Sequence, residues 1–226
     1  MIPLETWLNN PALQKALVPA IWETLLMMGL SSVATVLIGL PLGVVLYVTQ
    51  KGGLGENRAI NFVLSNIVVN ITRSIPYAIL MLALIPFTRW IVGTSLGPIA
   101  ASVSLAIAAI PFFARLVETA LREVHPGKLD VAHAMGSSKM QSVTKVLIPE
   151  AMPGLVAGIT TTVVTIIGYS AMAGLVGGGG LGRLAYNYGF QRFSPDVMVI
   201  TVVIIVILVQ GVQWLGDRIS RAVDHR

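Results

Sequence analysis

Apolar residues dominate five stretches of this sequence, and polar residues gather between them. Thr24–Gln50, Ile91–Ala114 and Val197–Gly216 contain no Asp, Glu, Lys or Arg at all. A helix needs about 20 mainly apolar residues to cross a bilayer. The pattern therefore predicts spans over about residues 22-48, 59-90, 96-116, 151-175 and 197-215. The fold class it implies is an all-α polytopic membrane helix bundle of five transmembrane helices. One transmembrane domain over residues 1-226 accounts for the whole pattern.

The second stretch does not fit a single straight helix. At 1.5 Å per residue it is about 48 Å long, against a hydrocarbon core of about 30 Å. It is also interrupted by Asn-Ile-Thr-Arg-Ser-Ile-Pro, residues 70–76. Pro76 lacks a backbone donor and disfavours helix at Ile75. A broken or strongly tilted helix is predicted there. Such backbone survives at membrane depth only when protein or a watery cavity surrounds it.

Between the third and fourth stretches the pattern changes. Asp130–Ala151 is polar and carries charges of both signs. Its local signals are helical. Pro126 suits a first helical turn, and Leu129, Ala132 and Met135 recur at helical spacing. Gly136 is placed as a C-terminal stop. Ser138 followed by Gln141 is set for a capping box. Met140, Val143 and Leu147 then share a face, and Pro149 closes the element. Two short helices are predicted in a loop over 122-149. A unit this small cannot hold itself together. It needs the ends of its own spans, a partner protein, or the membrane surface on which amphipathic helices rest.

Composition agrees with the membrane reading. The 226 residues are 55% hydrophobic and 11% charged, where a soluble domain carries about 25% charged residues. The net charge of +5 is no nucleic-acid footprint, because the basic residues flank spans. With no cysteine, disulfides, thiolate metal sites and a Cys nucleophile are excluded. Residues 1–14 lack the basic segment of a cleavable signal peptide, since the first Lys is Lys15.

Lys and Arg placement sets orientation. With the N-terminus outside, cytoplasmic segments hold Lys51, Arg58, Arg115, Arg122, Lys128, Lys139, Lys145, Arg218, Arg221 and Arg226. Outer segments hold Lys15, Arg89, Arg183 and Arg192, and Arg73 lies inside the second span. The bias predicts N-terminus out, C-terminus in, the two-helix loop cytoplasmic, and the loop over 176-195 periplasmic.

Asn66, Asn70 and Arg73 fall at i, i+4 and i+7 on one helix face. A charge within a span faces the interior or water. These three either line and gate a translocation path or serve structure, the amides bonding across helices and Arg73 satisfying carbonyls freed by the break at Pro76. Gly39 and Gly43 form a small-xxx-small pair, which serves helix packing within a chain or between chains. Met27, Met28, Met81, Met172 and Met198 are read as packing. The glycine run Gly177, Gly178, Gly179 and Gly180 is not followed by the Lys-Ser or Lys-Thr of a phosphate loop. It is either a flexible linker or part of a larger feature with Tyr186, Tyr188, Phe190 and Phe193. Those aromatics suit a membrane-interface belt or a protein partner.

The two-helix loop resembles the Glu-Ala-Ala loop of ATP-binding-cassette (ABC) importer permeases. That pattern reads Glu-Ala-Ala, three residues, Gly, nine residues, Ile, one residue, Leu-Pro. Here Asp130-Val131-Ala132 is followed by Gly136 and, after nine residues, by Val146-Leu147-Ile148-Pro149. Ala132, Gly136 and Pro149 match; Asp130, Val131, Val146 and Ile148 depart from it, mostly conservatively. The resemblance implies a coupling helix seated in a cleft of a separate ATPase. Asp130, Ala132, His133, Gly136, Ser137, Lys139, Met140, Val143 and Pro149 are the residues it singles out. Met140 and Val143 would form an apolar knob, and Asp130, His133, Lys139 and Lys145 a polar rim.

The later run Gly-Leu-Val-Gly-Gly-Gly-Gly-Leu-Gly, then Leu-Ala, then Tyr-Gly-Phe-Gln-Arg-Phe, over 174–193, is similar to permease subunits of bacterial methionine ABC importers. That resemblance implies uptake of D- and L-methionine by alternating access. It implies a homodimer, two ATPase subunits, an external substrate-binding lipoprotein and a multi-pass place among the lipids of a bacterial inner membrane. ATP and Mg would sit on the partner ATPase, and no catalytic residue, cofactor or metal would belong to this chain. Gly177–Gly180, Tyr186, Tyr188 and Phe190 would contact the binding protein. A twofold pair also follows from mechanism, since one chain supplies one coupling loop and ABC ATPases work in pairs. The alternatives are a permease for another small solute, such as an osmoprotectant or phosphonate, and a secondary transporter. The latter calls for internal repeats and midplane charges, and Arg73 alone is of that kind. An intramembrane enzyme is a third rival. The chain has no HExxH, and His125, His133 and His225 all fall in cytoplasmic segments.

Overall fold

A computed structural model describes residues 11–224. Residues 1–10, where a signal peptide would begin, the third histidine His225 and the basic Arg226 lie outside the described residues. The described residues form helices and no strand: α1 Pro11–Thr49, α2 Arg58–Ser74, α3 Tyr77–Ala83, α4 Ile85–Val92, α5 Pro98–Arg122, α6 Pro126–Ala134, α7 Lys139–Leu175, α8 Gly180–Leu184 and α9 Pro195–Ala222. α1, α5, α7 and α9 are each long and apolar enough to cross a membrane, and α2 with α3 makes a fifth candidate if that bent pair is one span. Large apolar side chains such as Trp22, Leu37, Ile79, Trp90 and Ile207 lie exposed. In a membrane bundle that surface meets lipid. The fold is an all-α polytopic helix bundle.

α1 and α7 begin earlier than the spans read in the sequence, while the second span breaks at Pro76 as its sequence predicts. α1 starts at Pro11, well before residue 22, and is about 59 Å long. Its added turns are held by packing, not by local hydropathy: Leu13 and Ala20 join Leu181, Leu184 and Val197 in one apolar cluster. α2 ends at Ser74, and the chain bends by 103° before α3. Ile75 is extended there, at φ −87° and ψ 123°, as the residue before a proline prefers. α7 runs through Pro149 instead of beginning after it. A π-helical turn over Ser142–Leu147 precedes the proline, with the Ile148 N–H donating to the Val143 carbonyl. The widened ladder takes up the donor that Pro149 lacks.

The chain packs as two compact units, each taking segments of the same long helices. The first comprises the chain up to Val33 with Pro76–Ile107 and Val163–Val212. Besides the cluster above, it contains Tyr77 stacked on Tyr169 with ring centres 4.6 Å apart. The second comprises Ala34–Ile75, Ala108–Thr162 and the chain from Gln213. Its core gathers Phe113, Val117, Leu121, Val124, Val143, Leu147 and Leu155. α2 is tied to the end of α1 by the Asn61 amide, which donates to the Leu46 carbonyl at 2.8 Å. In the link between them, a bond from the Gly52 N–H and then Arg58 hold the Glu56 carboxyl below the usual carboxylate range.

Gly39 and Gly43 serve packing within the chain. A Cβ at Gly43 would stand 2.5 Å from the Ala114 carbonyl oxygen and 2.5 Å from the Val117 Cβ, so α1 and α5 meet there backbone to backbone. Overpacking of this kind costs about 1–3 kcal/mol. Gly43→Leu should lower the thermal unfolding temperature in detergent by several degrees. Gly29→Leu, where a Cβ would meet nothing within 4 Å, should leave it unchanged.

Candidate functional site

The two-helix loop is built by its local signals. Pro126 opens α6, and the His125 Nδ1 accepts from the Gly127 N–H at 3.1 Å. Gly136 closes it in the left-handed region, at φ +79°, where a side chain is strained. The Ser137 N–H then returns to the Ala132 carbonyl at 3.0 Å. Ser138 caps α7 with both bonds of a capping box: its Oγ accepts from the Gln141 N–H, and its own N–H donates to Gln141 Oε1 at 2.9 Å. An ion pair between Lys128 and Glu150 joins the start of α6 to α7.

Side-chain directions divide this loop in two. Ala132, Val143 and Leu147 are buried, the last two in the core of the second unit. Val143 therefore packs inward and offers no knob to a partner. The outward apolar side chains are Val131, Met135 and Met140, which are 60%, 81% and 72% exposed. Met135 is one turn from Val131 and so leaves the inward stripe of Leu129 and Ala132. Asp130, His133, Gly136 and Lys139 are exposed around these side chains, Lys145 is exposed, Ser137 is half-buried and Pro149 is exposed within α7. The loop thus presents three uncovered apolar side chains inside a polar rim.

Asn66, Asn70 and Arg73 all sit exposed on α2, which is π-helical over Val63–Ile71. The Asn70 amide donates to Asn66 Oδ1 at 3.3 Å. Asn70 Oδ1 accepts from Arg115 Nη2 at 2.8 Å, and the same nitrogen donates to Ser65 Oγ at 3.0 Å. Arg73 lies with its guanidinium 5.8 Å from the centre of the Phe112 ring. Two hydroxyls of α2 bond back one turn, Thr72 to the Val68 carbonyl at 2.7 Å and Ser74 to the Asn70 carbonyl at 2.8 Å, and at the break itself the Ile75 N–H donates to the Thr72 carbonyl at 3.3 Å.

Behind Arg115 lies a group that the sequence reading passed over. Glu118 is 3% exposed, bonded to Arg115 at 2.6 Å and to Arg122 at 2.5 Å. Arg122 in turn donates to Gln50 Oε1 at 3.1 Å. A buried carboxylate persists only when paired in this way. The signal was the i, i+3, i+7 spacing of Arg115, Glu118 and Arg122 on one helix. Reading both arginines as loop charges hid it.

The glycine run is buried structure and not a flexible linker. Gly178, Gly179 and Gly180 are buried, and Gly177 is half-buried. The Gly180 N–H donates to Glu23 Oε2 at 2.6 Å, the Leu181 N–H to Thr24 Oγ1 at 2.9 Å, and Arg183 pairs with Glu23 at 3.1 Å. A Cβ at Gly182 would stand 2.2 Å from the Ala171 carbonyl oxygen. Glu23 has no local sequence signal, because its partners are 157 and 160 residues away. Past α8, a π-helical turn over Ala185–Phe190 carries the aromatics. Tyr186 stacks near Phe190 at 5.8 Å, and Arg192 lies 4.5 Å from the Tyr188 ring. Tyr186 and Tyr188 are half-buried, while Phe190 and Phe193 are exposed.

Comparison with known proteins bears on the whole arrangement. Residues 53–226 match the family described as binding-protein-dependent transport system inner membrane component. The probable D-methionine transport system permease protein MetI of Vibrio cholerae is 50% identical over 210 residues, 93% of this chain and 93% of that protein. The methionine import system permease protein MetP of Bacillus subtilis is 49% identical over 181 residues, 80% of this chain and 81% of that protein. Among solved structures, an inward-facing conformation of the MetNI methionine ABC transporter superposes with a TM-score of 0.93 at 49% identity, covering 96% of this chain and 100% of that one. With likeness of this extent in sequence and in fold, the chain belongs to the family of binding-protein-dependent transport system inner membrane components.

Proposed function

We propose that this chain is the membrane subunit of an ATP-driven importer of methionine, moving D- and L-methionine by alternating access. The observation that carries the reading is the two-helix loop, whose Val131, Met135 and Met140 stand uncovered within a polar rim. An exposed apolar group so rimmed marks a protein interface. Near-full-length likeness to permeases named for methionine supports the substrate.

In this reading five spans cross a bacterial inner membrane, α2 and α3 counting as one, with the N-terminus outside and the C-terminus inside. Two copies of the chain pair around a path. Each loop seats in a cleft of an ATPase subunit, which holds ATP and Mg and does the hydrolysis; this chain has no catalytic site of its own. Asp130, His133 and Lys139 fix the loop's register on the ATPase, Gly136 and Ser137 allow its close approach, and Ala132, Val143 and Pro149 anchor it to its own helices. Asn66, Asn70 and Arg73 border the path or its gate. A loaded binding lipoprotein docks outside, where Tyr186, Tyr188 and Phe190, with Phe193, offer aromatic contact. Gly177–Gly180 hold that surface in place from beneath. Nucleotide binding and hydrolysis supply the free energy that shifts the population between outward and inward states.

Gly136→Trp adds bulk at a position where a Cβ would meet nothing within 4 Å. The chain should still insert, while uptake of labelled methionine into vesicles should fall at least about tenfold, the 1.4 kcal/mol of a weakened interface contact. Wild-type uptake by Gly136→Trp would refute the coupling role. Met135→Glu with Met140→Glu should leave the fold intact and cut methionine-stimulated ATP hydrolysis by the assembled complex to a similar degree. Uptake by the wild-type complex should require ATP inside the vesicle and survive collapse of the proton and sodium gradients; loss on collapse would favour a secondary transporter.

A further inference from the structure

A cavity of about 170 Å³ lies wholly within the first unit. Met81, Leu96 and Val176 form apolar walls, and Thr88, Ser95 and Ser104 bring hydroxyls. Ala100, Ala101, Ala173 and Gly178 also line it, and their small size leaves the space open. Among the described residues, no charged side chain lines it.

The walls are held in place by contacts of their own. The Gly97 N–H donates to the Gly177 carbonyl at 2.9 Å, which fixes the glycine turn at the cavity's border. A Cβ on Gly178 would stand 3.0 Å from the Ala101 Cβ, so the turn is already seated against α5. Ser104 Oγ lies 3.3 Å from the Tyr77 hydroxyl, and the Tyr77 ring rests on Tyr169. This shape exists before any guest arrives.

Volume and chemistry select the guest. An apolar cavity of about 150 Å³ is enough for a benzene-sized molecule, whereas sites for whole drug-sized ligands run to about 300–1,000 Å³. A side chain fits; a whole solute of that size does not. Without a charged partner, an ammonium or carboxylate cannot be buried here, so those groups stay at the mouth. An unbranched, polarisable chain adapts best to irregular walls that include another thioether.

We propose that this cavity is a transient subsite for the unbranched apolar side chain of the transported amino acid. It rests on the methionine reading above, which makes the guest a thioether. The permease thereby adds a check on side-chain length to the selection made by the binding protein.

The absence of cysteine from the sequence allows a direct test. Thr88→Cys places one thiol at the cavity, Ser95→Cys is a second reporter on its lining, and Thr94→Cys is an exposed control. Each variant is purified as the permease–ATPase complex, without binding protein, and labelled with methyl methanethiosulfonate. Saturating methionine or norleucine should slow labelling at Cys-substituted Thr88 and Ser95 at least about tenfold. Alanine and glutamate should not, and the Thr94 control should not respond. Absence of protection, or equal protection by all four amino acids or at the control, overturns the subsite. If the wild-type complex still takes up methionine, the transport function stands without it. A wild-type complex that takes up no methionine removes the transport reading and the subsite together.

Discussion

In hydrocarbon, every backbone N–H and C=O must find its partner inside the protein. That constraint favours helix as the regular structure of the described residues, and it decides what happens where a helix stops. At the Pro76 break, the Ile75 N–H turns back onto the Thr72 carbonyl, and the Pro76 carbonyl takes the Leu80 N–H of α3. At the glycine turn, Glu23 and Thr24 of α1 take the first N–H groups of α8. At Pro149, a π turn absorbs the missing donor and α7 continues.

The same constraint separates rigid from deliverable surface. Once Ala132, Val143 and Leu147 are committed to the core, α6 and the start of α7 are fixed to the helices that they extend. Val131, Met135 and Met140 are then left facing outward. The helix that carries Met140 is continuous from Lys139 to Leu175. In the proposed function this continuity is what converts ATPase closure into movement of a span. The Arg115–Glu118–Arg122 group, with Asn70 and Gln50 at its ends, links α5 to α2 and to the end of α1 within the second unit.

Much of this was legible in local sequence. The cap at Ser138, the stop at Gly136 and the break before Pro76 depend on a few neighbouring residues, and the periodicity around them named the loop. What escaped depends on distant partners. The start of α1 is set by Leu181 and Val197, which no window around Pro11 contains. Val143 reads as a surface knob until Leu121 and Val124 are seen against it. The glycine run reads as a linker until Glu23 is found on its N–H groups. Asn66 and Asn70 are neighbours as their spacing predicts, but Arg115, which bonds Asn70, reads in the sequence as a loop charge.

The central claim is that the two-helix loop holds a separate ATPase. Its most direct test is purification of the chain in mild detergent, with mass spectrometry of whatever accompanies it at equal molar amount. The account predicts a soluble ATPase with a phosphate-loop motif, one per copy of this chain. Abundant, well-folded chain purified with no such ATPase would contradict it.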